Sequence, residues 1–411
     1  MAKSINNLIN DQMISLMNKL KEMLIAAPIT YLFLLTASQA QTINWEIKQP
    51  GSQSVNAKII EELHEEFKDG KHGYIDSFLI IRNNQLIYER YYKNNYDDLT
   101  KNRRLEQNII MQENYGDNTR DIYNYYDPEW HPYYRNTDLH TIQSVSKSVT
   151  SALIGIAIDR NEIPSINTKI SSYFPEYSDY FNDPLKQSIT IHDLLTMTAG
   201  IKWDESSFLY TDPLNNAATM ENSQNWLSYI LSLPMSDVPG KKFVYNSGIT
   251  ILLSHVLYKA TGMHVDAYAK KYLFNPLGIE NFYWKKTPLG LTDTEGGLYL
   301  STRDFAKIGH LYLNEGQVNN LQLLKKKWVE DTMAPDTNIS GSSRKYGYQW
   351  WLVPYENNNE KFILSGSGYG GQYLLIIPEF ELIVVFNGWN IFDKDRPSIE
   401  YLSQRVLKAI Q

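Results

Sequence analysis

The sequence predicts an α/β chain in which strands from both ends form one sheet and helices fill the middle. Three observations predict it. Strand-like runs cluster before residue 92 and after residue 346, while the stretch from 160 to 290 carries apolar residues at helical spacing, punctuated by Pro and Gly. The chain has 411 residues, 43% of them hydrophobic and 21% charged, which is globular composition with material for a sizeable core. On this reading residues 41–158 and 291–411 make a sheet domain, 94–136 is a surface insertion in it, and 159–290 is an inserted, mainly helical domain.

The elements follow in chain order. Residues 23–36 are almost wholly apolar, Lys19 and Lys21 precede them, and Ser38-Gln39-Ala40 places small residues where a signal peptidase reads. The run is shorter than the roughly 20 residues a membrane span needs. A signal peptide of residues 1–40, cleaved after Ala40 to give a periplasmic or secreted protein, is the leading reading; an uncleaved anchor and a buried helix are the alternatives. Residues 55–69 have helical spacing (Ile59, Ile60, Leu63, Phe67). Phe78–Arg82 and Gln85–Glu89 flank Asn83-Asn84 as a hairpin would. Residues 94–136 are rich in Asn, Asp and Tyr with few aliphatics, and read as a surface excursion bordering any site at the following helix. Residues 145–158 form the most apolar helix. Helices are expected at Ile191–Thr198, Ser223–Leu233, Gly248–Thr261 and Val265–Phe274. Strands are expected at Gly347–Val353, Phe362–Ser365, Gln372–Ile377 and Glu381–Phe386, and a last helix at Ile399–Ile410.

Composition narrows the chemistry. Net charge is −7 without a basic cluster, so nucleic acid is a poor partner. There is no cysteine, hence no thiol nucleophile, disulfide or thiolate metal site. No His-Glu-x-x-His, Walker loop or Gly-x-Ser-x-Gly elbow occurs, and no metal or cofactor is expected. Two Ser-x-x-Lys matches remain. Ser342–Lys345 lies in a Gly/Ser-rich stretch, whereas Ser144–Lys147 opens an apolar helix. Ser and Lys three residues apart share a helix face, so the amine reaches the hydroxyl. A first-turn N–H is unpaired and can face a developing oxyanion. By itself the pattern also fits a serine that merely caps a buried helix, with Lys147 at its edge.

Further segments bear on the choice. Ser144-Val-Ser-Lys147 followed by Ser-Val-Thr-Ser-Ala-Leu-Ile-Gly, Ile191-His-Asp-Leu-Leu-Thr-Met-Thr-Ala-Gly-Ile, Pro239-Gly-Lys-Lys-Phe-Val-Tyr245-Asn-Ser, Glu295-Gly-Gly-Leu-Tyr-Leu-Ser-Thr and Gly368-Tyr-Gly-Gly-Gln-Tyr occur in that order. Together they resemble the serine β-lactamase and penicillin-binding-protein superfamily, in particular its class C-like branch of esterases, D-amino-acid peptidases and nylon-oligomer hydrolases. The resemblance spans roughly residues 72–407. It implies a β-lactamase/transpeptidase-like fold, an antiparallel sheet flanked by helices with a helical insertion. It implies Ser144 as the acylated nucleophile and Tyr245 as proton acceptor and donor. Lys147 would either stabilise a Tyr245 phenolate or shuttle the proton itself. The backbone N–H groups of Ser144 and Tyr369 would form the oxyanion hole, with Asn246, Ser247, Gly368 and Gly370 lining the substrate.

Departures from the pattern refine the expectation. Asn246-Ser247 stands where many relatives have x-Asn after the tyrosine, and Ser247 reaches less far than an amide. Gly366-Ser367-Gly368 stands where β-lactamases carry Lys-Thr-Gly, so the cation that holds the antibiotic's carboxylate is missing unless Arg344 or Lys345 replaces it. The expectation is an exported serine hydrolase cleaving a small ester or amide through an acyl-enzyme. A β-lactamase or D-alanyl carboxypeptidase, and a penicillin-recognising sensor without turnover, are the alternatives.

Overall fold

The computed structural model describes residues 43–94, 137–210, 212–335, 337, 339–355, 358–390 and 397–410. The expected export signal and all but the first residue of the 94–136 excursion lie outside the described residues. The chain opens with β1 (Glu46–Ile47), α1 (Ala57–Lys68), β2 (Ile75–Arg82) and β3 (Gln85–Tyr91). The β2–β3 turn places Asn83 at φ 48° and Asn84 at φ 57°. Both central residues are left-handed, as a two-residue hairpin turn requires and asparagine tolerates.

Next come β4 (His140–Thr141) and α2 (Val145–Asp159), then α3 (Pro184–Ser188), α4 (Ile191–Leu195), α5 (Asn216–Glu221), α6 (Trp226–Ser232), α7 (Ser247–Thr261), α8 (Val265–Ala269) and α9 (Asn275–Leu277). The return is made by β5 (Tyr283–Trp284), β6 (Leu298–Leu300), α10 (Thr302–Leu313), the small pair β7 (Gln317–Val318) and β8 (Leu321–Gln322), and α11 (Lys326–Met333). The chain closes with β9 (Lys345–Gly347), β10 (Trp350–Tyr355), β11 (Asn358–Gly368), β12 (Gln372–Ile377), β13 (Leu382–Gly388) and α12 (Ile399–Ile410).

The main sheet has the order β1-β3-β2-β13-β12-β11-β10-β9, so the N-terminal hairpin pairs with the C-terminal strands as expected. All its pairings are antiparallel except β1 with β3. Alternation along β2 explains the two layers. Phe78 and Ile80 join α1 and α12 in one buried cluster, and Leu79 and Ile81 join α2 and α10 in the other. Both faces are covered, which is why these strands read as unbroken apolar runs.

Several expected elements are shorter than their patterns: Ser223–Leu233 shrinks to α6, and Val265–Phe274 to α8 followed by a π-helical turn over Lys270–Phe274. Two others show their cause. The helix beginning at Ile191 ends at Leu195, and Met197 adopts φ 60°. There the Met197 carbonyl accepts the Val244 N–H at 2.9 Å, which ties this turn to the segment before α7. The strand expected over Gly347–Val353 breaks into β9 and β10 at Tyr348 (φ 39°) and Gln349 (φ 67°). Gln349 is buried and fully engaged. Its N–H donates to the Leu195 carbonyl (2.9 Å), its amide to the Leu194 carbonyl (2.7 Å), and its carbonyl accepts from Ser148 Oγ (2.7 Å). These bonds offset the cost of left-handed backbone, of order 1–2 kcal/mol per residue.

Candidate active site

α2 places Ser144 and Lys147 together. Val145, Val149, Ala152, Leu153 and Ile156 bury the helix, so its first turn is held rigidly. Ser144 stands at the N-cap in helical geometry, and Gln143 before it is left-handed at φ 47°. A non-glycine residue in that region is strained backbone next to a reactive group. Gln143 is held there by its amide, which donates to Thr141 Oγ1 at 2.9 Å, while Ser146 Oγ donates to the Gln143 carbonyl at 2.7 Å.

Lys147 is almost wholly buried, with its side chain 1% exposed. Its ammonium donates to Ser144 Oγ at 3.0 Å and to the Glu295 carbonyl at 2.5 Å, and Glu295 Oε2 lies at 3.5 Å. Burial alone would push the ammonium toward its neutral form. The charges of Tyr245, Glu295 and Glu205 outweigh that and hold Lys147 above its ordinary range.

Tyr245 enters from the segment before α7. Its ring centroid is 5.3 Å from Lys147 Nζ, and both Ser144 and Lys147 favour the ionised form of its hydroxyl. The ring stacks on Trp351 (5.7 Å, 21°) and meets Tyr346 edge-on. Burial raises the Tyr245 phenol, Lys147 opposes this, and Glu205 adds to it.

Sequence reasoning missed Glu205. It is buried and accepts from Trp203 Nε1 (2.7 Å), from the Ser247 N–H (2.9 Å) and from Ser247 Oγ (2.9 Å). It thereby caps α7 and stands behind Tyr245. Burial raises its carboxyl while Lys147 pulls it down. Nothing local marks Glu205; a Trp-Asp-Glu stretch after a glycine turn is common in loops. The carboxylate of Glu295 was missed as well, although its segment had been singled out.

Asn246 and Ser247, expected to line the substrate, are both buried. The Asn246 side chain accepts the Ile249 N–H at 3.2 Å as the N-cap of α7, and Ser247 is bound to Glu205. Their bonds hold the end of α7 next to Tyr245.

The end of β11 passes close to the nucleophile turn. A Cβ on Gly366 would lie 2.4 Å from Val145 Cγ1, and one on Gly368 would lie 2.5 Å from the Ile142 carbonyl oxygen. Only glycine allows that approach. It sets the backbone at Gly368 alongside residues 142–143, just before Ser144. Gly370 (φ 86°) makes the turn to β12, and Tyr369 packs edge-on against Tyr210 at 5.1 Å. Tyr369, of the expected oxyanion pair, thus follows a glycine packed against residues 142–143, which lead into Ser144.

Arg344 does not point into this group. Its guanidinium is paired with Glu400 of α12, with a 2.9 Å bond from Nε, and Lys345 lies 4.9 Å from the Phe362 ring centre. Ser342, of the second Ser-x-x-Lys match, bonds through Oγ to the Arg344 N–H in an exposed loop. Among the described residues no group of three or more His, Cys, Asp or Glu side chains is arranged to hold a metal ion.

Comparisons with known proteins bear on the family and the fold. The family model described as Beta-lactamase matches residues 62–397. The chain is 24% identical over 270 residues to the 6-aminohexanoate-dimer hydrolase of Paenarthrobacter ureafaciens, covering 60% of this chain and 65% of that protein. It is 21% identical over 266 residues to an N-acetylmuramyl-L-alanine amidase of Bacillus subtilis, covering 52% and 59%. The chain thus spans less than two thirds of the length of both. Among solved structures, a Bacillus anthracis protein provisionally assigned as a 6-aminohexanoate-dimer hydrolase superposes with a TM-score of 0.65 at 20% identity, covering 90% of this chain and 88% of that one. A family VIII carboxylesterase superposes with a TM-score of 0.60 at 14% identity, covering 86% and 96%. These structural likenesses bear out the expected fold.

Proposed function

The chain belongs to the Beta-lactamase family, and from that premise we propose that it is a serine hydrolase acting on small esters or amides through an acyl-enzyme on Ser144. The observation that carries the reading is the 3.0 Å bond between the buried Lys147 ammonium and Ser144 Oγ at the start of an apolar helix. In the acylation step Ser144 Oγ attacks the carbonyl carbon. Its proton passes to the Tyr245 oxygen, whose phenolate form Lys147 stabilises, and the carbonyl oxygen becomes an oxyanion facing the N–H groups of Ser144 and Tyr369. Collapse breaks the bond to the alcohol or amine, which leaves with the proton from Tyr245. Water then repeats the sequence on the acyl-enzyme and frees Ser144.

The substrate class follows from charge. Gly366-Ser367-Gly368 offers no cation, and Arg344 is engaged by Glu400. A substrate carboxylate buried there loses a charge-assisted hydrogen bond worth about 1.5–3 kcal/mol. Neutral acyl esters and amides need no such partner. The relatives support both bond types, since one is named for the amide dimer it hydrolyses and another is a carboxylesterase. We further infer export, on the strength of the apolar run 23–36 and Ser38-Gln39-Ala40; N-terminal sequencing of the secreted protein tests for a start at Gln41.

A fluorophosphonate probe tests the central claim. Labelling is expected on Ser144 and is lost in Ser144→Ala with the fold intact. A label mapped to Ser342 or elsewhere overturns it. On the wild type, p-nitrophenyl acetate or butyrate is expected to show higher kcat/KM than nitrocefin or penicillin G.

A further inference from the structure

A turn at residues 292–297 carries more chemistry than a return to the sheet requires. α7 and α2 hold it from two sides. Ser254 Oγ donates to the Thr292 carbonyl (2.9 Å), Thr294 Oγ1 to the Thr250 carbonyl (2.8 Å), and Ser146 Oγ accepts the Leu298 N–H (3.1 Å). Within the turn Asp293 Oδ1 accepts the N–H of Glu295 (3.2 Å) and of Gly296 (3.3 Å). A Cβ at Gly297 would strike Asp293 Oδ2 at 2.7 Å, so the turn closes only over glycine. The product of this bracing is one side chain, Glu295, set against Lys147 twice, through its carbonyl and through its carboxylate.

A carbonyl alone would anchor an amine. Adding a carboxylate in a buried site makes sense where the partner must stay charged, because an unpaired buried charge is strongly disfavoured. A second buried carboxyl, Glu221 at the end of α5, is close enough for each acid to act on the other's ionisation. The charged and titratable groups around the pair are known from every packed element: Lys147 from α2, Glu221 from α5, Lys285 after β5, Asp293 from the same turn, and Glu205, Tyr210 and Tyr245 from the segments before α7.

We propose that Glu295 is a positioning residue for the reaction, fixing the Lys147 ammonium against Ser144 and Tyr245 with its carbonyl and its carboxylate. This rests on the acyl-enzyme reading above. Within the pair Glu295 carries the charge. Burial opposes ionisation of both acids, yet Lys147 and the Glu221 hydrogen bond bring Glu295 below its ordinary value, whereas burial and the Glu295 charge push Glu221 well up. With Glu295 ionised, Lys147 keeps its proton far into the alkaline range. Without that charge, the ammonium is lost as pH rises, and activity is lost with it.

The test measures kcat and KM for p-nitrophenyl acetate from pH 6 to 10 on the full chain and its variants. Glu295→Gln keeps the shape and the carbonyl but removes the charge. It is expected to lower kcat about 10- to 150-fold, the range for one charge-assisted contact, with KM changed by less than about threefold. An alkaline limb, above the measured range in the wild type, moves down into it in this variant. Glu295→Asp restores part of both losses. A merely structural role would lower the melting temperature without moving the limb. An unmoved limb together with wild-type kcat in Glu295→Gln overturns the proposal. If that variant fails to fold, Glu295→Asp carries the test, and an unmoved limb there overturns it equally. Ser144→Ala separates the two claims. Its inactivity beside a wild-type Glu295→Gln sinks only the role of Glu295, while an active Ser144→Ala sinks the acyl-enzyme reading itself.

Discussion

Gly368→Ala adds one methyl group where the structure leaves no room for it. Its Cβ would lie 2.5 Å from the Ile142 carbonyl oxygen, 2.9 Å from Gln372 Cβ and 3.0 Å from Gln143 Cβ. A carbon and a carbonyl oxygen in contact sit about 3.3 Å apart or more. The end of β11 and the 142–143 backbone must therefore separate by about 0.8 Å. Neither side yields easily: Ile142 is buried, its N–H donates to the Leu298 carbonyl at 3.0 Å, and Gly368 is paired with Gln372 in the sheet. Overpacking of this kind costs about 1–3 kcal/mol. The larger effect is expected on rate, because the displaced segments carry the N–H groups of Ser144 and Tyr369. A misplacement of about 1 Å costs on the order of 100-fold. The assay is steady-state hydrolysis of p-nitrophenyl acetate beside thermal denaturation. Gly51→Ala, where nothing lies within 4 Å of the added carbon, is the control. Gly368→Ala with wild-type kcat/KM and melting temperature would refute the claim that this contact sets the oxyanion geometry.

Other outcomes can be checked by simple means. Glu205→Ala leaves the Trp203 indole and both Ser247 donors without their acceptor; at about 1–3 kcal/mol for each buried donor, urea unfolding should show a loss of at least about 3 kcal/mol. A loss below about 1 kcal/mol would mean water replaces the carboxylate. Arg344→Ala should leave the preference for neutral esters over penicillin unchanged, since Arg344 is held by Glu400; a collapse of β-lactam turnover in that variant would show a carboxylate anchor relocated to Arg344. At Glu66 burial opposes ionisation, but hydrogen bonds from His72, Arg405, Lys71 and Tyr401 outweigh it and hold the carboxyl at about 2, against 4.5 for the unperturbed group. A depressed folded value stabilises the protein above pH 4.5, and that contribution fades as pH falls toward 2. Glu66→Gln should flatten the acid-unfolding curve across that window; an unchanged curve would place the acid sensitivity elsewhere.

Much of the sheet was legible because its signals are local. Gln372–Ile377 and the helix Ile399–Ile410 have the bounds their patterns predict, and the hairpin follows from two asparagines that accept left-handed backbone. The break at Tyr348-Gln349 was not legible. Gly347 precedes it, but the left-handed residues are Tyr348 and Gln349, and the break exists because the Gln349 amide finds the Leu194 carbonyl across the fold. α4 was cut short in the same way, by a bond from Val244 to Met197.

The candidate site divides along the same line. Ser144 and Lys147 were readable because a helix brings residues three apart onto one face, and that periodicity is written in the sequence itself. Tyr245 and Tyr369 were named by resemblance, a comparison of motifs that no local rule supplies. Glu205, Glu221 and Glu295 were beyond both. They lie 58, 74 and 148 residues from Lys147 along the chain, and each is one acidic residue among the 46 it carries. What gathers Glu205 and Glu295 around one ammonium, with Glu221 near Glu295, is burial: in water such carboxylates would be ordinary surface charges, and only the packing of α2, α5, α7 and the 292–297 turn makes each require a partner. The sequence alone determined which hydroxyl meets which amine; the tertiary structure decided which charges surround that pair, because the need of a buried charge for a partner depends on where the fold has excluded water.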